Sequence, residues 1–258
     1  ENEGKEGGKM DKAHVFEDMK AQLDNFEMKH TKKDEKKDGG EENEGKEGEN
    51  GVNTPETSKV EENTEPEEPH PLTDKWTFWY VYNMSHEERK KKRGKERWQK
   101  EYKLNEVYTF GSIEEFWSLF NNVEALSELV PNTDYLLFKH GIKPEWEDPK
   151  NNDGGKWVIT LPKEQDMSKE IEHAWLHVIL MMVGGDIEKE LYDIINGIVF
   201  SIRDKHQRVS LWLSDNSEPS LLKKIGDKMR SISKFDKALA LEYQVHKKAI
   251  QHNLDNEC

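Results

Sequence analysis

From residue 70 onward the chain alternates between a two-residue and a three-to-four-residue rhythm. Residues 76–82 are aromatic and β-branched and read as a strand. Its alternation gives Trp76, Phe78, Tyr80 and Tyr82 one face and Thr77, Trp79 and Val81 the other. Residues 107–110, 135–138, 157–161 and 238–243 read as further strands, and 198–203 with 209–213 as a strand pair joined by a turn at 204–208. Ser112 followed by Glu115 is a capping box, which predicts a helix carrying Phe116, Trp117 and Phe120. Over 169–183 the helical stripe is Ile171, Ala174, Trp175, Val178, Ile179 and Met182, stopped by Gly184 and Gly185. Leu176, Leu180 and Val183 form a second stripe off that face. A surface helix normally shows one apolar stripe, so the second implies either full burial or an outer apolar patch. Glu172, His173 and His177 on the flanks favour a partly exposed second face. A third helix is predicted over 220–231, with Leu221, Leu222, Ile225 and Met229. Antiparallel-type strands with about three helices between them predict an α+β fold, one curved sheet with helices on one face.

Upstream of residue 70 both rhythms are lost. Residues 1–69 hold 11 Lys, no Arg and 22 acidic residues, a net charge of −11, and all eight tryptophans come later. Such a segment buries too little apolar area to offset its ordering entropy, so 1–69 is expected to be a disordered acidic low-complexity extension and 70–258 a single domain. Residues 1–7 recur letter for letter at 42–48. Phe16, Met19, Leu23 and Phe26 nevertheless fall at helical spacing, which suits a fraying helix or one that folds on a partner. Pro55, Pro66 and Pro69 mark a linker. The one cysteine, Cys258, excludes a disulfide within the chain and fits a reducing compartment, cytosol or nucleus. No apolar run reaches the ~18 residues of a membrane span.

The chemistry in the sequence is that of binding. Pro144, Glu145, Trp146, Glu147 and Asp148 set an indole beside a carboxylate in a turn-rich loop between two strands. The ring can stack on a planar cationic base while the carboxylate accepts from its edge; a lone tryptophan in a loop is more often a core plug. Arg203, Lys205 and Arg208 crowd one hairpin end, as a phosphate clamp or as a solvated turn. A basic run at 89–97 precedes Trp98, the pairing of cations and exposed ring that binds single-stranded nucleic acid. His173 and His177 have the spacing of a zinc-protease helix, but Ala174 stands where the general-base Glu belongs. No P-loop, nucleophile elbow, cysteine zinc site or dinucleotide fingerprint is present. The expectation is a protein that is not an enzyme and uses neither cofactor nor metal.

His70-Pro71-Leu72, Trp76 and Trp79, Glu115-Phe116-Trp117, the 144–148 loop, Gly154-Gly155-Lys156-Trp157 and Arg203-x-Lys205, in this order, resemble the translation initiation factor 4E family over about residues 69–246. That family binds the 7-methylguanosine cap of messenger RNA. The resemblance implies a strongly curved antiparallel sheet of about eight strands with about three helices on its convex face. It implies that Trp98 and Trp146 sandwich the methylated base, that Glu147 reads its edge, that Trp212 meets the methyl group, and that Arg203, Lys205 and Arg208 hold the phosphates. On the convex back, His70, Pro71, Ile113, Trp117, Leu176, Leu180 and Asp193 match the surface where a scaffold initiation factor and inhibitory binding proteins dock a short helix. His177 departs from the acidic residue usual there. The implied protein is a cytoplasmic monomer, also compatible with the nucleus, that recruits capped messages to a scaffold; a cap-binding repressor or specialised paralogue is the alternative.

Overall fold

The computed structural model describes residues 69–83, 103–162, 168–233 and 240–247. The expectations placed on 1–68, on Trp98 with the basic run before it, and on Cys258 lie outside them. In chain order the elements are β1 (Pro71–Tyr82), β2 (Asn105–Ser112), α1 (Ile113–Phe120), a 3-10 turn (Leu126–Glu128), β3 (Thr133–Lys139), α2 (Pro149–Asn152), β4 (Gly155–Pro162), α3 (Ser168–Gly184), α4 (Lys189–Ile194), β5 (Ile195–Ile202), β6 (His206–Leu213), α5 (Pro219–Ser233) and β7 (Leu241–Val245). The strands form one sheet in the order β2-β1-β3-β5-β6-β4-β7, every described pairing antiparallel. The described residues therefore hold seven strands, against about eight implied by the resemblance. The seven correspond to the seven segments whose alternation predicts a strand, the last one shifted to 241–245. The short helices α2 and α4 are too brief to show a helical period.

Alternation along each strand divides the apolar side chains between two clusters. Trp76, Phe78, Tyr135, Leu137, Ile159, Leu161, Ile198, Phe200, Val209 and Leu211 join Phe116, Trp175, Ile179, Ile225 and Met229 from the helices in the main core. Val81, Leu136, Phe138, Ile142, Val199 and Trp212 form a smaller cluster with Trp79, Leu104 and Trp146 packed against it. No residue of the three longer helices belongs to the second cluster, so the helices cover one face and the small cluster occupies the other, here termed the front face. Burying each large apolar side chain contributes roughly 1.5–3 kcal/mol over leaving it exposed.

Local signals act largely as the sequence dictates. Ser112 caps α1, its hydroxyl accepting from Glu115 N at 3.2 Å. The Glu115 carboxylate reaches one residue further back than a standard capping box, accepting from Gly111 N at 2.7 Å. Gly185 follows α3 with φ +69°, the left-handed stop that glycine adopts most easily. The expected partial exposure of the second α3 stripe does not hold. Leu176, Leu180 and Val183 are at most 5% exposed, because α3 packs against α5 and the 3-10 turn as well as against β1 and β5.

Gly154 lies where β4 starts against the end of β6. A Cβ there would sit 1.8 Å from Leu213 O, and both partners are backbone, so neither yields cheaply. Gly154→Ala should therefore destabilise the fold by about 1–3 kcal/mol or more, seen as a lower urea midpoint with an unchanged slope.

Candidate functional site

Strand register lays the front face out in rows. One row runs Val81, Asp134, Ser201, Arg208, Thr160 and the next Trp79, Leu136, Val199, Ser210, Val158. The third runs Thr77, Phe138, Gly197, Trp212, Lys156 and on to Gln244 of β7. Gly197 leaves a gap between Phe138 and Trp212. A Cβ there would come within 2.5 Å of the Phe138 ring. Through that gap the two rings meet edge to face, centroids 5.5 Å apart. Trp212 thus packs against Phe138 on the front face, with Lys156 Nζ 5.5 Å from its ring.

The segment between β3 and β4 brings Trp146 onto this floor. Gly141 turns the chain with φ +83°. Asp148 then closes the loop on itself: Oδ2 accepts from Lys143 N and Oδ1 from Lys150 N, each at 2.9 Å, which caps α2. Asn151, wholly buried, spends both amide hydrogens on the loop carbonyls of Lys143 and Glu145, each at 2.8 Å. Trp146 is half-buried and packs on the front cluster to which Trp212 belongs. Glu147 is exposed at the rim, and its Oε1 accepts from the Trp146 indole N–H at 2.5 Å.

The cations are distributed differently from a single clamp. Arg203 is committed to the buried Asp134: its NH2 donates to Oδ2 at 3.0 Å. NH1 lies 2.8 Å from Oδ1, without hydrogen-bond geometry. NH1 also donates to Ile202 O and Thr133 O. Lys205 is exposed in the turn, while Arg208 is exposed on β6, on the same face as Trp212. The residue the charge pattern did not single out is Lys156, largely buried beside Trp212. Burial lowers its pKa first, and the charge of Arg208 lowers it further, against the opposing pull of Asp134. His206 is lowered by burial, then by Arg208 and Arg203. His246 is lowered by burial and by Lys156, against the bond it makes to Asn151. Burial is the first cause in all three, and in each a nearby cation adds to it. Alternation could have found Lys156, since Trp157, Ile159 and Leu161 face the helices and their neighbours must face front.

The remaining expected residues lie on the helical side. His70 Nδ1 is 2.6 Å from Glu114 Oε1, and its carbonyl accepts from Ile113 N, which ties the start of β1 to α1. Pro71 begins β1, and Asp193 pairs with Lys189 on α4. Ile113, Trp117, Leu176 and Leu180 are buried in the main core. His177 stacks on His173, centroids 3.6 Å apart. Trp98 lies outside the described residues.

A family model described as eukaryotic initiation factor 4E matches residues 71–257. The eukaryotic translation initiation factor 4E of Candida albicans is 36% identical over 177 residues, 69% of this chain and 79% of its own. The crystal structure of Ascaris suum eIF4E-3 with an m2,2,7G cap matches at 32% identity and a TM-score of 0.61, covering 70% of this chain and 93% of that one. The solved complex of Caenorhabditis elegans eIF4E-3 with the 4E-binding protein Mextli matches at 33% identity and a TM-score of 0.62, covering 70% of this chain and 96% of that one. Open antiparallel sheet, helices on one face, a tryptophan-floored front and a matching sequence model agree: this chain belongs to the eukaryotic initiation factor 4E family.

Proposed function

We propose that the front face binds the 7-methylguanosine cap of messenger RNA, and that the helical side docks a short helix from a scaffold or inhibitory protein. The observation that carries the first half is the placement of Trp146 on the cluster that holds Trp212, with Lys156 near the Trp212 ring, Arg208 on the same face and the Glu147 carboxylate exposed. Methylation makes the guanine cationic, so stacking on Trp146 gains a cation–π contribution. Trp98 is the second plane in this reading, closing a sandwich, and Trp212 takes the methyl group.

Glu147 supplies base identity. Turning from the Trp146 N–H to the base exchanges one neutral donor for the N1–H and amine of a cationic guanine, a charge-assisted pair. Lys156 and Arg208 lie where a phosphate chain leaving the base would relieve their mutual repulsion, and Lys205 extends them from the turn. Arg203 serves in part by neutralising Asp134, a buried carboxylate that would otherwise repel phosphate. Support for the second half comes from the family fold itself, since C. elegans eIF4E-3 carries Mextli, a 4E-binding protein.

The unmodified protein is expected to be held on a methylguanosine resin and released by methylated but not unmethylated guanosine triphosphate. Glu147→Ala should weaken binding roughly 10- to 100-fold, the loss of one or two charge-assisted bonds; retention equal to that of the parent would remove Glu147 from the site. Lys156→Met should lower the slope of log affinity against log salt by about one, and an unchanged slope would exclude a phosphate contact. On the other side, Pro71→Ala, at an exposed residue of the expected docking set, should weaken a 4E-binding peptide while cap affinity stays within about twofold, a separation expected when two ligands use distant surfaces. Unchanged peptide affinity would remove Pro71 from the docking surface.

A further inference from the structure

We propose that His246 is a positioning residue for cap recognition, holding the Trp146 and Glu147 loop in register with Trp212 on the front face. The proposal rests on the cap-binding reading and concerns a side chain that would touch no part of the cap. His246 follows β7, is 1% exposed, and lies 95 positions along the chain from the residue it holds. Its Nδ1 is 2.7 Å from Asn151 O. A carbonyl can only accept, so Nδ1 carries the proton and Nε2 the lone pair. Nε2 is buried and has no hydrogen-bond partner among the described residues. The ring packs at 49° on Trp212, centroids 4.4 Å apart. A single imidazole thus touches both the residue that shapes the loop and the indole of the floor beneath it.

Asn151 explains why that contact matters for recognition. Its side chain already grips Lys143 O and Glu145 O, the carbonyls on either side of Pro144 and just before Trp146. Its own Oδ1 accepts from Asn196 Nδ2 at 2.8 Å, and the same nitrogen donates to Lys150 O. Asn196 on β5 and His246 after β7 therefore hold Asn151 from two sides, and Asn151 holds the loop. If Asn151 shifts by a fraction of an ångström, Trp146 and Glu147 move with it. Stacking and edge recognition both depend on placement at that scale. A histidine that merely filled the core would need only its ring against Trp212, and a phenylalanine would serve as well.

That difference sets the test, on the full chain, with titration calorimetry against 7-methylguanosine triphosphate. His246→Phe keeps a ring on Trp212 and removes the donor. His246→Asn keeps a donor near the position of Nδ1 and removes the ring. The phenylalanine variant is expected to bind about 5- to 20-fold more weakly as the loop loses a buried anchor, with a thermal midpoint lowered by a few degrees because Asn151 O is left unpaired, and with 4E-binding-peptide affinity near that of the parent. The asparagine variant should recover to within about threefold, and Asn196→Ala combined with His246→Phe should lose less than the product of the two single effects, as coupled positions do. Equal cap affinity of parent and His246→Phe would overturn the proposal. So would equal weakness of the Asn and Phe variants, or peptide binding that falls in step with cap binding. If the unmodified protein itself does not bind the methylated nucleotide, the cap-binding reading fails instead.

Discussion

Side-chain alternation on a sheet covered from one side is the constraint on which this molecule depends. Every strand that gives a residue to the helices gives its neighbour to the front. Trp76 and Phe78 anchor the main core while Trp79 and Val81 must face away from it; Leu211 and Leu213 do the same to Trp212, and Trp157 and Ile159 to Lys156 and Val158. The front face is therefore the second product of the pattern that builds the core, and no strand could slip by one residue without exchanging the two. That coupling explains how an aromatic floor can be held rigidly while remaining available at its rim.

The front face is also electrically unlike its chain. A protein of net charge −14 sets Lys156, Arg208 and Lys205 around one sector and places a buried carboxylate, Asp134, against Arg203. The buried pair is not there chiefly for stability, because desolvating two ions costs about what their attraction returns. Its effect is local. Asp134 stays neutralised by Arg203, and the like charges of Lys156 and Arg208 remain concentrated where an anion can reach them.

Legibility in the sequence followed the physics of period. Strands such as 76–82 and 209–213 and the helix around Ile171 could be read because one face of each is apolar at a fixed spacing. The loop with Trp146 could be read as a candidate site because its residue types are unusual together. The burial of Leu180 could not, since the wheel correctly puts it off the sheet-facing stripe and only tertiary neighbours decide whether that side is covered. Arg203 and Arg208 looked equivalent in a turn, yet one lies in reach of Asp134, 69 positions away, and the other in a strand. Asn151, Asn196 and His246 were the least visible. A buried asparagine in a polar run has no period, and its partners are 45 and 95 positions distant.

The place of β4 in the sheet has a consequence for how the protein is made. β4 is fourth in the chain but lies between β6 and β7, so both its edges stay unpaired until residues 206–213 and then 241–245 have been synthesised. Chains emerge at about 5–20 residues per second, so tens of seconds at most separate Trp146 from His246, but the order is fixed. A ribosome-bound chain that already displays the loop lacks the strands that floor it and the imidazole that holds it. The front face is thus incomplete on the nascent chain and closes with β7, the last of the described strands.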